Sequence, residues 1–332
     1  MELRPFGRSG LRVSALGFGC GTVGGLMVRG APADQERTVA RALDVGVNYF
    51  DTAVQYGNGT SEENLGRVLK ALKPKHAIVG TKVRLPSRDF GHIAEAITQS
   101  LEGSLRRLQM ESVDIFHLHN EVTLAGGGEN LSARQVLEQV ASTFERLRSE
   151  GKIRHPGFTA IGDTLALKEV VDSRRFESAQ VTYNMLNSSA GTPPPAHYPA
   201  QDYGRLFDDT QAAGVGVIAI RVLAGGALSG SLDRHPIASP PPDPIGSARS
   251  YEADVARARR LAPIVRDGYA ASLTEAATRF AISHPAVGTI LVGMATPEQF
   301  EQARAAVEKG PLPKAALDRL AELQRGFAGE ER

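Results

Sequence analysis

Residues Val215–Val222 read VGVIAIRV, and Thr289–Gly293 read TILVG. Both stretches are apolar on successive positions, where a strand with one wet face would alternate. Short, β-branched, continuously apolar runs suit strands covered on both faces, and such strands belong to parallel sheets. Working outward, runs of the same kind occur at Val13–Cys20, Val47–Thr52, Ala77–Val83, Ser112–His119, Ile153–Thr159 and Ser178–Tyr183. With Val215–Val222 and Ala286–Gly293 they make eight strand candidates.

Amphipathic stretches separate them. The first opens at Asp34, a candidate N-cap, and closes at Gly46, a candidate C-cap. Others are expected at Ser61–Leu72, Gly91–Leu108, Ser132–Glu150, Asp163–Arg174, Tyr203–Ala213, Tyr251–Asp267, Ser272–His284 and Pro297–Glu308, with a terminal helix at Lys314–Phe327. Strict strand–helix alternation argues for a parallel sheet. Eight units favour closure into a (β/α)8 TIM barrel over an open doubly wound sheet. An open sheet would place a nucleotide loop after its first strand. Gly17-Phe18-Gly19-Cys20-Gly21 lacks the third glycine and the immediate helix of such a loop. The expectation is one α/β domain over residues 1–332, with long loops at the C-terminal face. Two of these loops stand out. Ala224–Arg249 is long and proline-rich, a candidate lid, and Val122–Asn130 is a weaker case.

Composition narrows the function classes. With 38 basic and 37 acidic residues among 332, the formal charge of +1 offers no field for nucleic acid or an anionic membrane. No apolar run is long enough for a membrane span, and MELRPFGRSG lacks a signal-peptide core. The one cysteine, Cys20, cannot form an internal disulfide. The expected compartment is cytoplasmic, and the expected partner is a small molecule. Nothing in the pattern indicates an oligomeric state.

Catalytic groups of barrel enzymes gather at the C-terminal strand ends. There the sequence places Asp51, Lys82 and His119, with Tyr56 in the loop after the second strand. Singly, each has a structural alternative: a turn cap, a surface lysine, a hydrogen-bonded histidine, loop packing. Jointly they suit proton delivery to a carbonyl oxygen. A lysine ammonium beside a tyrosine favours its phenolate and brings it closer to working range. A carboxylate would hold the lysine, and the histidine would orient the oxygen. No metal-ligand spacing or nucleophile elbow competes.

The string Asn48-Tyr49-Phe50-Asp51-Thr52-Ala53, then Tyr56-Gly57, Ser61-Glu62 and Leu65-Gly66, resembles the signature of aldo-keto reductases. The resemblance continues through Thr81-Lys82, Val113–His119, Gly151–Arg154, Gly214–Ala219, Leu223–Gly226 and Val292–Gly293 with Thr296–Gln299. It implies a (β/α)8 fold and hydride transfer between a nicotinamide cofactor and a carbonyl or alcohol. By that pattern Asp51, Tyr56, Lys82 and His119 are catalytic, with Tyr56 the general acid or base. His119 takes the histidine role, and His117 is left as a supporting group. The cofactor contacts it implies are Gly19 and Cys20 at the nicotinamide ribose, Thr159 and Gln180 at the carboxamide, and Ile220 against the ring. Asp51, Leu223 and Gly225 join them, with Gln299 and Gln302 for the adenine and its ribose. Ile220 stands where the family stacks an aromatic residue, and Ala160 where it has an amide. Arg221 replaces a small residue, and either reaches a pyrophosphate or substrate anion or makes a structural ion pair. The family default is NADP(H). However, Gly293, Met294, Ala295 and Gln299 offer no cation for a 2′-phosphate, which leaves Arg249 or Arg304 to supply one and NAD(H) as a serious alternative. Two other functions remain open: a non-catalytic nicotinamide-sensing subunit, and a barrel lyase or epimerase with a tightly held nicotinamide.

Overall fold

The computed structural model describes residues 1–330. Eight parallel strands close into a barrel: β1 (Leu16–Gly19), β2 (Tyr49–Asp51), β3 (Ile78–Val83), β4 (Val113–Leu118), β5 (Ile153–Ala160), β6 (Ser178–Thr182), β7 (Gly216–Ile220) and β8 (Val287–Gly293). Each pairs with its chain neighbour, and β8 closes on β1 through Ile290–Leu16 to Gly293–Gly19. Every residue of β2, β3, β4 and β6 is buried, as expected of strands covered on both faces.

The helices lie outside the barrel: α1 (Pro32–Asp44), α2 (Thr60–Leu72), α3 (Ile93–Leu108), α4 (Ala141–Ser149), α5 (Thr164–Asp172), α6 (Leu206–Ala213), α7 (Leu273–Ala281), α8 (Pro297–Glu308) and a terminal α9 (Lys314–Arg325). Several start on side-chain caps readable in the sequence. Ser132 forms a capping box with Gln135 at the head of the segment leading into α4, Ser272 caps α7, and Thr296 caps α8.

Four details differ from the sequence reading. Asp34 does not cap α1. The helix begins at Pro32, a residue whose missing N–H costs nothing in the first turn, so Asp34 sits inside that turn. The segment Ser132–Glu150 carries a π-turn at Val136–Val140 rather than one regular helix. Tyr251–Asp267 divides at Pro263 into Tyr251–Arg260 and Pro263–Arg266, because proline cannot donate to the preceding turn.

The fourth is Val13–Cys20, which is two strands. Arg12–Ser14 pairs antiparallel with Leu3–Pro5 in a hairpin, and only Leu16–Gly19 enters the barrel. The hairpin turn carries Phe6, which is fully buried at the N-terminal mouth of the barrel. Glycine makes that plug possible: a Cβ at Gly216 or Gly288 would lie 2.7 or 2.9 Å from the Phe6 ring. One end of the barrel is therefore closed by apolar packing, and the polar chemistry is left to the other. No helix among the described residues is long and apolar enough to cross a membrane.

Candidate active site

At the C-terminal end of the barrel Asp51, Tyr56 and His119 line a cavity of about 630 Å³ with Lys82 at its base. Lys82 is 0 % exposed. Its Nζ pairs with Asp51 Oδ1, donates to the carbonyl oxygen of Thr52 at 2.8 Å and donates to the Tyr56 hydroxyl at 3.2 Å. All three acceptors come from β2 or the turn that follows it, so one strand-to-strand contact assembles the relay. Behind it, Thr81 donates to Glu62 at 2.5 Å and Arg107 donates to the same carboxylate at 2.6 Å. Ser61 donates to the Cys20 carbonyl at 2.9 Å. These buried bonds fix the start of α2 against β1 and β3, and with it the turn that carries Tyr56.

The other oxygen of Asp51 accepts from Gln180 Nε2 at 2.6 Å and from the Tyr49 hydroxyl at 2.8 Å. A charge this deep needs such partners. Because Gln180 spends its NH₂ on Asp51, its carbonyl oxygen is the end left for an amide-bearing ligand.

Burial opposes the charge on Lys82, but Asp51 and Tyr56 outweigh it and raise its affinity for a proton. Tyr56 departs from the sequence expectation. Burial pushes its phenol above the ordinary value, more than Lys82 and Arg221 pull it down. The group therefore stays protonated at neutral pH and is poised as an acid. The rings of Tyr56 and His119 meet edge to face, with centroids 5.9 Å apart. Burial, then the cations of Lys82 and Arg84, lower His119 to about 3, so the ring is neutral. Its Nδ1 lies 3.3 Å from Gln55 Oε1. With the Gln55 amide turned to present its NH₂, Nε2 would carry the one ring proton and could donate to a substrate oxygen. His117 is buried on Ser178, Nε2 to Oγ at 3.1 Å, and its proton affinity is likewise strongly reduced by burial.

These two histidines give a signed pH dependence. Both bind a proton more readily in the unfolded chain, whose ordinary value is 6.5. Stability is therefore expected to fall as pH drops below about 6.5, by up to about 1.4 kcal/mol per pH unit for each histidine. Melting curves from pH 7.5 to 5 check this. A slope unchanged in His117→Asn would show that His117 has no part in it.

The structure brings Gly19, Thr159, Gln180, Ile220, Arg221, Leu223, Gly225, Gln299 and Gln302 to the same cavity. Cys20 is the exception. Its side chain is fully buried away from the cavity, its Sγ nearest the Phe18 carbonyl, and burial pushes its thiol up. At most its backbone could meet a ligand. Arg221 makes no ion pair among the described residues, which overturns the structural-pair alternative. It donates to the Asp243 carbonyl at 3.0 Å. Neither distant cation serves the other end of the cavity. Arg304 is spent on Glu301 and Glu308, and Arg249 is not among the lining residues.

The loop expected as a lid is folded onto the site. Arg234 donates to the carbonyls of Gly225 at 2.6 Å, Ala238 at 2.8 Å and Val23 at 3.3 Å. Arg29 returns the contact from the loop after β1, donating to Ile237 at 2.6 Å. Sequence reasoning missed Arg234, Arg84 and the pair Thr274 and Thr278, all of which line the cavity. The two threonines had a signal, since i and i+4 share a helix face; a loop arginine has none.

The residues fit a nicotinamide dinucleotide. Thr159 Oγ1 is buried without a hydrogen-bond partner, and it lies on the strand beside the one carrying Gln180. An orphaned hydroxyl and a free amide oxygen on neighbouring strands match the donors and acceptor of a carboxamide, and Arg221, without an ion pair among the described residues, is a cation for a phosphate.

A model of the "Aldo/keto reductase family" matches residues 15–325. The L-galactose dehydrogenase of Arabidopsis thaliana is 31% identical over 316 residues, covering 92% of this chain and 88% of that protein. The solved holo form of an aldo-keto reductase from Bacillus halodurans superposes with a TM-score of 0.71 at 25% identity, covering 97% of this chain and 96% of the other. An aldo/keto reductase from Klebsiella pneumoniae, solved in complex with NADP and acetate, has a TM-score of 0.68 at 20% identity and covers 99% and 97%, a likeness of fold.

Proposed function

The chain belongs to the aldo/keto reductase family, and on that premise we propose that it is a cytoplasmic oxidoreductase that reduces a small carbonyl compound to an alcohol, or runs the reverse. The observation that carries this reading is the buried chain Asp51–Lys82–Tyr56 at the floor of the cavity, with His119 beside it. When bound, the nicotinamide supplies or accepts the hydride. The chain's own residues handle the proton. Tyr56 donates it to the carbonyl oxygen as negative charge builds there. Lys82, already hydrogen-bonded to that hydroxyl, stabilises the phenolate left behind. Asp51 neutralises Lys82, and the neutral His119 orients the oxygen toward Tyr56.

Thr159 and Gln180 would hold the carboxamide, Ile220 would pack against the ring, and Leu223, Gly225, Gln299 and Gln302 would line the rest of the cofactor's path. Gly19 would lie beside the nicotinamide ribose. The cofactor proposed is NADP(H), the family default, with NAD(H) in competition because, among the described residues, the end near Gln299 and Gln302 carries no free cation for a 2′-phosphate. Fluorescence titrations of NADH and NADPH, followed by reduction of 4-nitrobenzaldehyde as a probe carbonyl, test the reading. Binding of either nucleotide with turnover of the probe supports it. Failure to bind either would overturn it. Arg221→Ala is expected to weaken nucleotide binding by about 1.5–3 kcal/mol, the range for a bond to a charged group. Unchanged affinity would remove Arg221 from the cofactor contacts.

A further inference from the structure

Tyr49 is a polar side chain inside an otherwise apolar part of the barrel. Its ring packs among Phe6, Val13, Ile78, Ile115 and Ile218, and it is fully buried. Two neighbouring strands make room for it. A Cβ at Gly80 would stand 2.7 Å from the Tyr49 hydroxyl, and one at Gly17 would stand 3.0 Å from Cδ1. Contacts that close would force something to shift. In the space so cleared the phenol stands upright under the catalytic floor and reaches Asp51 Oδ2 at 2.8 Å. Burial first, and the Asp51 charge second, hold its proton well above the ordinary tyrosine range, so it is a donor at every working pH.

We infer that Tyr49 is a positioning residue for the reaction, locking the Asp51 carboxylate so that its other oxygen faces Lys82 and Lys82 in turn faces Tyr56. The inference rests on the carbonyl-reductase reading above. Asp51 has two oxygens and three side-chain donors: Lys82 on one, Tyr49 and Gln180 on the other. A bound nicotinamide amide would use the Gln180 carbonyl oxygen, so Gln180 and Tyr49 both keep donating to the same Asp51 oxygen. Tyr49, wedged between neighbouring strands, is the donor that keeps the carboxylate from rotating. Its hydrogen bond also draws part of the negative charge away from Lys82 and Tyr56. Removing it concentrates that charge and strengthens the hold of Asp51 on Lys82, and both effects raise the affinity of Tyr56 for its proton. The other groups facing Tyr56 are Lys82 from β3, His119 beyond β4 and Arg221 beyond β7. All three side chains are retained in a Tyr49 variant.

The test is Tyr49→Phe, which keeps the ring in its slot. With 4-nitrobenzaldehyde as probe, kcat is expected to fall roughly tenfold, the lower edge for a bond to a charged group. KM and nucleotide affinity should stay within about twofold, and the alkaline limb of the kcat profile should move to higher pH. A merely structural role would lower the melting temperature without moving that limb. An unchanged kcat and limb, or a limb displaced to lower pH, would overturn the inference. A wild-type enzyme that binds nucleotide but reduces nothing would instead count against the function. For that case proton NMR supplies a separate arm. An exchange-protected phenolic proton that disappears in Tyr49→Phe and moves upfield in Asp51→Asn supports the inference; a phenolic signal indifferent to Asp51→Asn sinks it.

Discussion

Tyr56→Phe should reduce kcat for carbonyl reduction by about two to four orders of magnitude, the span contributed by a positioned proton donor. Nucleotide affinity and melting temperature should hardly change. The reason lies in what the hydroxyl touches. It accepts one hydrogen bond from Lys82, and Lys82 keeps both Asp51 and the Thr52 carbonyl when that bond is lost. The phenyl ring remains as a face for the ammonium, which lies 4.8 Å from its centroid. Only the proton is removed. Steady-state kinetics with the probe aldehyde measure the effect, and turnover retained to within about fivefold would refute the role given to Tyr56.

Lys82→Met is the harsher substitution, and it acts on two levels. Catalysis should fall at least as far as in Tyr56→Phe, because the phenolate loses the cation that stabilises it. Stability should also fall, by about 3–5 kcal/mol at neutral pH, since one half of a buried pair is left charged without its partner. The pH dependence carries the signature. A buried, unpaired Asp51 would favour its neutral form, so the folded variant would bind a proton more tightly than the unfolded chain. Its stability deficit should therefore shrink as pH falls toward 5 and widen as pH rises. Adding Asp51→Asn to Lys82→Met should restore most of the stability and none of the activity. Denaturation at pH 5 and 7.5 checks both statements; a deficit independent of pH would mean that Asp51 finds another cation.

The parts of the site legible beforehand were those in which chain position and place in the barrel coincide. Asp51, Lys82 and His119 sit at strand ends, and once eight parallel strands are read, their ends meet by construction. Glycine and turn signals placed Tyr56 just beyond one of them. Cys20 shows the reverse: its position at a strand end said nothing about which way its side chain points, and that side chain is buried in the core, which leaves only its backbone to meet a ligand. Arg221 was legible as a cation beyond β7 but not as an unpaired one, because pairing depends on neighbours distant in the chain. The rise in proton affinity at Tyr56 was hidden too. From the sequence, the adjacent lysine argues for a fall; only the depth of burial reverses the sign.

By itself the sequence determined the barrel, the gathering of Asp51, Tyr56, Lys82 and His119 at one end of it, and a near-neutral balance of charge. Each follows from short-range periodicity, turn chemistry or a count. Tertiary structure alone decided that Phe6 plugs one end, that Arg234 fastens the long loop over the other, and that Tyr49 stands beneath Asp51 in a slot cleared by Gly17 and Gly80. The first two depend on closure of the sheet, and the third on the register between β2 and the strands on either side of it. Closure brings β8 to β1, register decides which glycines face which rings, and no local pattern encodes a contact between residues far apart in the chain.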